Sequence, residues 1–194
     1  MREARALLRR DRAFRPIIDK VGSIELRVRR PYFWTLCSAI IAQQVSSAAA
    51  RTIIARVRAL YPELRLPDPE SILATTPARL REVGVSRQKA RYLQALAEAF
   101  ARGSLTGVRF SRLSDEEILE RLMAIVGIGR WTAEMFLIFS MRRPDVFPVD
   151  DLGVRQGMKR FFRVAEVPDM VRRAERWRPY RTVASLYLWR GLET

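Results

Sequence analysis

Apolar residues recur at helical spacing along most of the chain. Phe33, Leu36, Ile40 and Ile41 lie one to four residues apart and fall on one face of an α-helix. The polar run "QQVSS" interrupts this face, and a second helical stretch continues to about Leu60, where "YP" ends it. No segment alternates convincingly with the period of two that a half-buried strand requires. The pattern predicts an all-α fold of about nine or ten helices.

Capping residues precede several of the predicted helices. A first helix is expected near residues 4–21. Asp68 or Ser71 is placed to cap a later helix, and Thr76, followed by a proline, begins the next. Ser114 has a glutamate three residues after it, which is the pattern of a capping box. These signals divide the middle of the chain into short helices joined by tight turns.

One of the turns contains two glycines, in the stretch "GIGRWTAEMF" at residues 127–136. Gly127 and Gly129 can take positive φ values and allow another backbone to approach closely. The helix that follows has unpaired N–H groups and a partial positive charge at its start, which suit a phosphate. The motif is therefore either an ordinary helix end with a short connection or a sequence-independent clamp on a nucleic acid backbone. A weaker copy, "GVSRQKARYLQALA", suggests a repeated helix–turn–helix unit.

The charge of the chain favours the clamp. The 194 residues contain 36 basic and 21 acidic side chains, which gives a net charge of +15. Such an excess in a chain of this size indicates a polyanionic partner, most often nucleic acid. With 48% apolar residues the chain can form the core of one domain, or of two small interleaved ones.

The scarcity of cysteine and the absence of histidine limit the metal sites and catalytic groups that the chain can form. Cys37 is the only cysteine and there is no histidine, which excludes an intramolecular disulfide, a zinc site built from cysteines and a four-cysteine iron–sulfur cluster. Acid–base chemistry must therefore use Asp, Glu, Tyr or Lys. The N-terminus lacks the apolar region of a signal peptide, and no run of about 18 apolar residues occurs. We expect a cytoplasmic protein, associated with the nucleoid through its function.

Three segments carry a resemblance to a known family. "LMAIVGIGRWTAEMFLIFSMRRPDVFPVDDLGVRQG", "IIAQQVSSAAA" and "WRPYRTVASLYLWR" resemble the helix–hairpin–helix (HhH-GPD) DNA glycosylase superfamily. The likeness is strongest to 3-methyladenine-DNA glycosylase II and covers about residues 31–190. It implies one glycosylase domain over residues 1–194, built from two helical lobes with the active-site cleft between them. The expected lobes are residues 31–128 and residues 1–30 plus 129–194.

The resemblance assigns binding roles to the hairpin. The family binds the DNA backbone there, which implies contacts from Val126, Gly127, Ile128, Gly129 and Thr132. Main-chain carbonyls before the turn hold a monovalent cation in many members, which makes Met123, Ile125 and Gly127 candidates for a Na⁺ or K⁺ site. No cofactor is expected to be required. The expected partner is double-stranded DNA with damaged bases, bound by a monomer that does not engage membranes.

The resemblance also assigns catalysis to Asp151, the second carboxylate of "VDD". Asp150 and Asp151 both precede a predicted helix, and either could be its N-cap; we assign the cap to Asp150 and the chemistry to Asp151. Bifunctional members carry a lysine where this chain has Trp131, which implies a monofunctional enzyme that leaves an abasic site. Trp131 is then expected to line the base pocket, the alternative being core packing.

Other positions keep two interpretations. The family fills the gap left by the flipped base with a side chain from the loop near residue 44, which makes Gln44 the wedge candidate and Val45 the next; the alternative is a polar inter-helix turn. Phe33 and Trp34 either line the base pocket or belong to the core. Arg178 and Arg181 either contact phosphate or are solvated. The core interpretation is adopted for Trp177, Tyr187 and Trp189.

Together these features predict a DNA glycosylase that flips out and excises alkylated bases such as 3-methyladenine and 7-methylguanine in base excision repair. One alternative is a non-enzymatic helix–hairpin–helix DNA-binding module, against which a pocket carboxylate beside an aromatic side chain argues. The other is a glycosylase for oxidised or deaminated bases, which differs in the shape of the pocket.

Overall fold

Helices account for the regular secondary structure of the residues that the structure describes, 1–26 and 31–193. The structure is a computed structural model. No strand occurs in those ranges, which confirms the all-α prediction. The last residues of the predicted N-terminal basic segment, 27–30, and residue 194 lie outside the described residues.

The described residues contain twelve α-helices, more than the nine or ten expected. In chain order they are α1 Arg2–Leu8, α2 Phe14–Val21, α3 Tyr32–Ala42, α4 Ser47–Arg58, α5 Pro69–Ala74, α6 Pro77–Glu82, α7 Arg87–Ala101, α8 Asp115–Met123, α9 Arg130–Phe136, α10 Leu152–Phe162, α11 Val167–Ala174 and α12 Arg181–Glu193. Single 3₁₀ turns occur at Phe110–Arg112 and Glu175–Trp177, and a π-helical turn at Leu137–Met141 continues α9.

The prediction of a single helix near residues 4–21 is wrong, because the chain turns between α1 and α2. Asp11 lies in this turn, and its carboxylate accepts a hydrogen bond from the main-chain N–H of Ala13. The same carboxylate forms an ion pair with Arg173, at 2.5 Å, and accepts from the indole of Trp177. A helical pattern along residues 4–21 cannot reveal these partners, which lie some 160 positions away in sequence.

The predicted caps are observed. Asp68 begins α5 and exchanges hydrogen bonds with Ser71, so both residues considered for this cap take part in it. Thr76 caps α6, with Pro77 at its first position. Ser114 caps α8 in a complete capping box with Glu117.

The chain divides into two compact units, Met1–Val28 with Leu137–Thr194 and Arg29–Phe136. The first will be called the discontinuous unit and the second the hairpin unit. The boundary lies between Phe136 and Leu137, whereas the sequence placed it between residues 128 and 129. The difference is α9, which packs against α3 and α8 of the hairpin unit.

Helix α12 is the centre of the discontinuous unit and packs against α1, α2 and α10. Its residues Thr182–Leu188 are buried without a break, as in a helix surrounded on all sides. Phe14 of α2 contacts Trp177 edge to face, with ring centroids 4.9 Å apart. Trp177 and Tyr187 are fully buried, which confirms the core prediction for both.

Helix α7 is the centre of the hairpin unit and packs against α3, α5 and α6, while α3 also contacts α4 and α9. Phe33 is buried and packs edge to face on Phe100. Trp34 is also buried. Both residues therefore belong to the core of this unit, and a role in lining the base pocket stays a prediction.

The two arginines of "WRPYRT" both pair with carboxylates, and Arg178 remains about half exposed. The guanidinium of Arg181 is largely buried and pairs with Asp145 and Glu175, at 2.8 and 3.0 Å. Arg178 pairs with the same two carboxylates. The four side chains tie the turn before α12 to the segment after the π-helical turn. No helix in the described ranges is both long and apolar enough to cross a membrane.

Candidate functional site

The glycine hairpin joins α8 to α9 and has a fixed backbone. Gly127 has a φ of +93°, which few residues other than glycine adopt. Ile125 and Ile128 are buried on either side of it, and the N–H of Ile128 donates to the carbonyl of Ile125 at 3.1 Å. Within the described ranges, the N–H groups of Gly127 and Gly129 have no acceptor. The turn therefore has unpaired donors at the start of a helix, where an anion is stabilised.

The two glycines have different roles. A Cβ atom on Gly127 would lie 2.2 Å from Cγ of Tyr92, so the ring of Tyr92 occupies the space beside this glycine. A Cβ atom on Gly129 would meet nothing within 4 Å. Gly127 is thus required by the fold, whereas the space beside Gly129 is open to a ligand.

Apolar side chains around the hairpin are exposed. Val126 is 57% and Trp131 43% exposed, and Met123 is also exposed. The core interpretation of Trp131 is therefore wrong, and its indole is accessible to a stacking partner. Large exposed apolar side chains close together in sequence are typical of a binding surface.

Thr132 points into the hairpin unit. It is only 4% exposed, and its hydroxyl lies 3.4 Å from the amide nitrogen of Gln43. The same amide donates to the carbonyl of Gly127 at 3.0 Å. The hydroxyl of Thr132 is thus turned inward, and a phosphate contact from this residue must come from its main-chain N–H in the first turn of α9.

The loop between α3 and α4 presents the two wedge candidates. Gln44 is exposed and has a φ of +55°, which is uncommon for a residue other than glycine. Val45 is also exposed. The ammonium of Lys89 donates to the carbonyls of Ile41 and Gln43, at 2.7 and 2.6 Å. Partial burial lowers the pKa of Lys89, so its charge is held there against a desolvation cost.

The candidate cation ligands are compatible with a hard cation. Met123, Ile125 and Gly127 would supply carbonyl oxygens, the ligand type that such ions prefer. The carbonyls of Ile125 and Gly127 each already accept one hydrogen bond. A carbonyl oxygen has two lone pairs, so these bonds do not prevent coordination. No cluster of metal-binding side chains occurs in the residues that the structure describes.

The two adjacent carboxylates are distinguished by their partners. Asp151 is the N-cap of α10, and its Oδ1 accepts from the N–H of Val154 at 2.8 Å. Asp150 forms an exposed ion pair with Arg155, at 2.6 Å. The assignment of the cap to Asp150 is therefore wrong. A carboxylate carries two oxygens, so the cap that Asp151 forms through Oδ1 does not exclude a chemical role for the same residue.

Trp189 fixes the orientation of Asp151, a role that the sequence did not reveal. Its indole N–H donates to Oδ1 of Asp151 at 2.7 Å. Its ring stacks on Phe139 and lies against Gly153, where a Cβ atom would be 2.6 Å from Cδ1 of the indole. Trp189 was predicted to be core, but it is only partly buried. The indole N–H of Trp189 could have indicated this contact, because the N–H of a buried tryptophan usually donates to an acceptor.

The suspected repeat is present in the backbone. Gly84, between α6 and α7, has a φ of +99°, close to that of Gly127. Val85 is buried after it as Ile128 is after Gly127. At the next position Ser86 caps α7 with its side chain, where the second turn has Gly129. In the earlier turn, the side chain of Ser86 therefore accepts a hydrogen bond at the start of α7, where the second turn leaves space beside Gly129.

Comparison with known proteins identifies the family of the chain. A family model described as HhH-GPD superfamily base excision DNA repair protein matches residues 37–181. The chain belongs to this superfamily. The predicted family is thereby confirmed.

Relatives of the chain carry consistent names. DNA-3-methyladenine glycosylase 1 of Schizosaccharomyces pombe is 36% identical over 188 residues, which is 93% of this chain and 82% of the relative. DNA-3-methyladenine glycosylase 2 of Escherichia coli is 35% identical over 78% of this chain and 54% of its own length. The S. pombe 3-methyladenine DNA glycosylase solved with abasic DNA superposes with a TM-score of 0.88 at 33% identity, covering 99% of this chain and 97% of that one.

Proposed function

We propose that this protein is a monofunctional DNA glycosylase that flips alkylated bases out of double-stranded DNA and hydrolyses their N-glycosyl bonds. The product is an abasic site for base excision repair. The carboxylate of Asp151, held by Val154 and Trp189, is the observation that favours an enzyme over a DNA-binding module. A binding module has no need of an anion fixed by an indole, because a carboxylate repels the DNA backbone.

The hairpin is the proposed anchor on DNA. The N–H groups of Gly127 and Gly129, with those of the first turn of α9, would donate to a backbone phosphate. Such contacts carry no sequence information, which suits an enzyme that must inspect any sequence. A Na⁺ or K⁺ ion on the carbonyls of Met123, Ile125 and Gly127 would add positive charge beside that phosphate. The chain would act as a monomer, since one copy contains every group named here.

Asp151 is the proposed catalytic group. Cleavage of the glycosidic bond develops an oxocarbenium-like sugar, and a nearby carboxylate stabilises that charge. It can also orient or deprotonate the attacking water. The hydrogen bonds from Val154 and Trp189 fix the carboxylate before substrate arrives, so no reorganisation is needed as the charge develops.

Trp131 is proposed to stack on the extrahelical base. A base must leave the duplex before its glycosidic bond can be reached. A purine nucleotide alkylated at N3 or N7 is positively charged, and a cation over an indole face gains about 0.5–2 kcal/mol. Trp131 would therefore favour alkylated purines over neutral bases. Gln44, with Val45 beside it, would fill the space that the base vacates.

Base release from defined duplexes tests the function. We would incubate the protein with duplexes that carry 3-methyladenine, 7-methylguanine, hypoxanthine, uracil or 8-oxoguanine and measure free base. The methylated purines should be released fastest. Release of 8-oxoguanine or uracil alone would assign the protein to the other glycosylase classes, and no release with intact DNA binding would indicate a non-enzymatic module.

The absence of a lysine at position 131 predicts that the protein will not become trapped on DNA. Borohydride should give no covalent complex, and strand breaks should appear only after alkali or heat, because Trp131 stands where bifunctional members carry lysine. The amine of Lys89 is held by two carbonyls and is not presented to substrate. A bifunctional glycosylase on its own substrate is the positive control. Efficient trapping would show that an amine of this chain forms an imine and would overturn the monofunctional assignment.

A further inference from the structure

The loop that carries Gln44 and the glycine hairpin are connected by hydrogen bonds. The side-chain amide of Gln43, directly before Gln44, donates to the carbonyl of Gly127 at 3.0 Å. The two residues are 84 positions apart in sequence. A direct hydrogen bond therefore connects two parts of the protein. One is the Gln44 loop, proposed to enter the DNA duplex, and the other is the hairpin, proposed to bind phosphate.

Helix α7 supports both partners of this bond. Lys89 in its first turn donates to the carbonyls of Ile41 and Gln43, where α3 ends. Those carbonyls have no partner within α3, since the last carbonyls of a helix are unpaired. One turn further along α7, the ring of Tyr92 lies against Gly127. The same helix thus holds the loop through Lys89 and the hairpin through Tyr92.

The backbone of Gln44 indicates why such support is needed. A left-handed conformation at a residue other than glycine persists when its surroundings impose it. The preceding carbonyl is fixed by Lys89, and the following helix α4 is fixed by Ser46, whose hydroxyl caps it. Between these two points the Gln44 side chain remains exposed. The loop is therefore held in one conformation before DNA binds.

We propose that Lys89 and Gln43 are positioning residues that hold the Gln44 loop in fixed register with the hairpin, so that phosphate binding and wedge insertion occur as one step. The inference rests on the proposed wedge role of Gln44. Neither residue touches the base or the sugar. With these residues in place, the loop does not have to become ordered while the base is flipped. Flipping costs most for a base that is paired and stacked.

The test compares two substrates that differ in their need for a wedge. One duplex carries 7-methylguanine in a normal pair, and the other carries it inside a three-nucleotide bubble where it is already unstacked. Single-turnover excision by Lys89→Met and by Gln43→Leu should fall by about tenfold or more on the paired substrate. On the bubble the loss should stay within about threefold, because less unstacking is required.

Gln94→Leu is the matched control. Gln94 also lies on α7 and donates to the carbonyls of Ile72 and Thr75 at the end of α5, at 2.9 and 2.8 Å. The substitution removes the same kind of contact away from the Gln44 loop and should change both substrates equally. Lys89→Arg, which keeps a cationic donor, should restore part of the paired-substrate activity. If Lys89→Met does not fold, Gln43→Leu carries the comparison.

The Gln44→Gly variant tests the wedge role of Gln44 separately from the positioning role of Lys89 and Gln43. It removes the side chain and suits a positive φ, so the fold should persist. Should Gln44→Gly, Lys89→Met and Gln43→Leu all selectively impair the paired substrate, the inference is supported. Selective loss in Gln44→Gly alone would overturn the positioning role and keep the wedge. Equal losses on both substrates in Gln44→Gly would overturn the wedge and the inference with it, while base release would still support the glycosylase.

Discussion

Replacement of Asp151 by Asn is expected to slow base excision by about 10²-fold or more, the loss found when a key electrostatic group is removed. The substitution removes the negative charge proposed to stabilise the sugar cation and keeps one oxygen as an acceptor. That oxygen can still receive the N–H of Val154 and the indole of Trp189. Because Asn caps helices about as well as Asp, the melting temperature should change little. Single-turnover excision of 7-methylguanine measures the effect.

Asp150→Asn is the control for this experiment. It breaks an exposed ion pair with Arg155, and such pairs contribute at most about 1 kcal/mol. Excision should stay close to the wild-type rate. Binding of Asp151→Asn to damaged duplex should be retained or improve, because a charge that repels the backbone is lost. A folded Asp151→Asn protein that excises normally would contradict the mechanism, and loss in Asp150→Asn instead would shift the catalytic role by one residue.

Substitutions of the two hairpin glycines by alanine are expected to act on different properties. Gly127→Ala should destabilise the protein by about 2–5 kcal/mol, because it combines a positive φ with a clash against the ring of Tyr92. Gly129→Ala should leave the melting temperature nearly unchanged, since its Cβ atom meets nothing in the protein. Its DNA affinity should nevertheless fall by about tenfold, because the methyl group occupies the space left for a phosphate.

Thermal unfolding and binding to undamaged duplexes of several sequences separate these effects. The affinity loss in Gly129→Ala should be similar for every sequence, as expected for a contact to the backbone. Unchanged affinity in Gly129→Ala would place the phosphate elsewhere. A Gly127→Ala protein as stable as the wild type would show that Tyr92 can move away, and the rigid hairpin described above would be wrong.

Local signals in the sequence predicted the local features of the structure. Ser114 and Thr76 cap the helices that their positions indicated, because a cap depends on residues within one turn. The positive φ of Gly127 follows from the same short range. The resemblance of three sequence segments predicted the superfamily, and the comparisons with known proteins confirm it.

Features that depend on distant partners were not predictable in this way. The turn between α1 and α2 depends on Asp11 meeting Arg173 and Trp177. The contact of Trp189 with Asp151 joins residues 38 positions apart, and periodicity along α12 indicates burial but not the hydrogen-bond partner. The exposure of Trp131 likewise depends on which face of α9 packs on its neighbours.

The division of one unit between the two ends of the chain has a consequence for synthesis on the ribosome. Helices α1 and α2 pack against α12, which is translated well after them, since α2 ends at Val21 and α12 begins at Arg181. At about 5–20 residues per second, roughly ten seconds or more separate the emergence of α2 from that of α12. During this time Phe14, Ile17 and Ile18, all buried in the finished protein, have no completed core to enter. These apolar side chains are therefore expected to be accessible to chaperones that recognise apolar segments until α12 has been made.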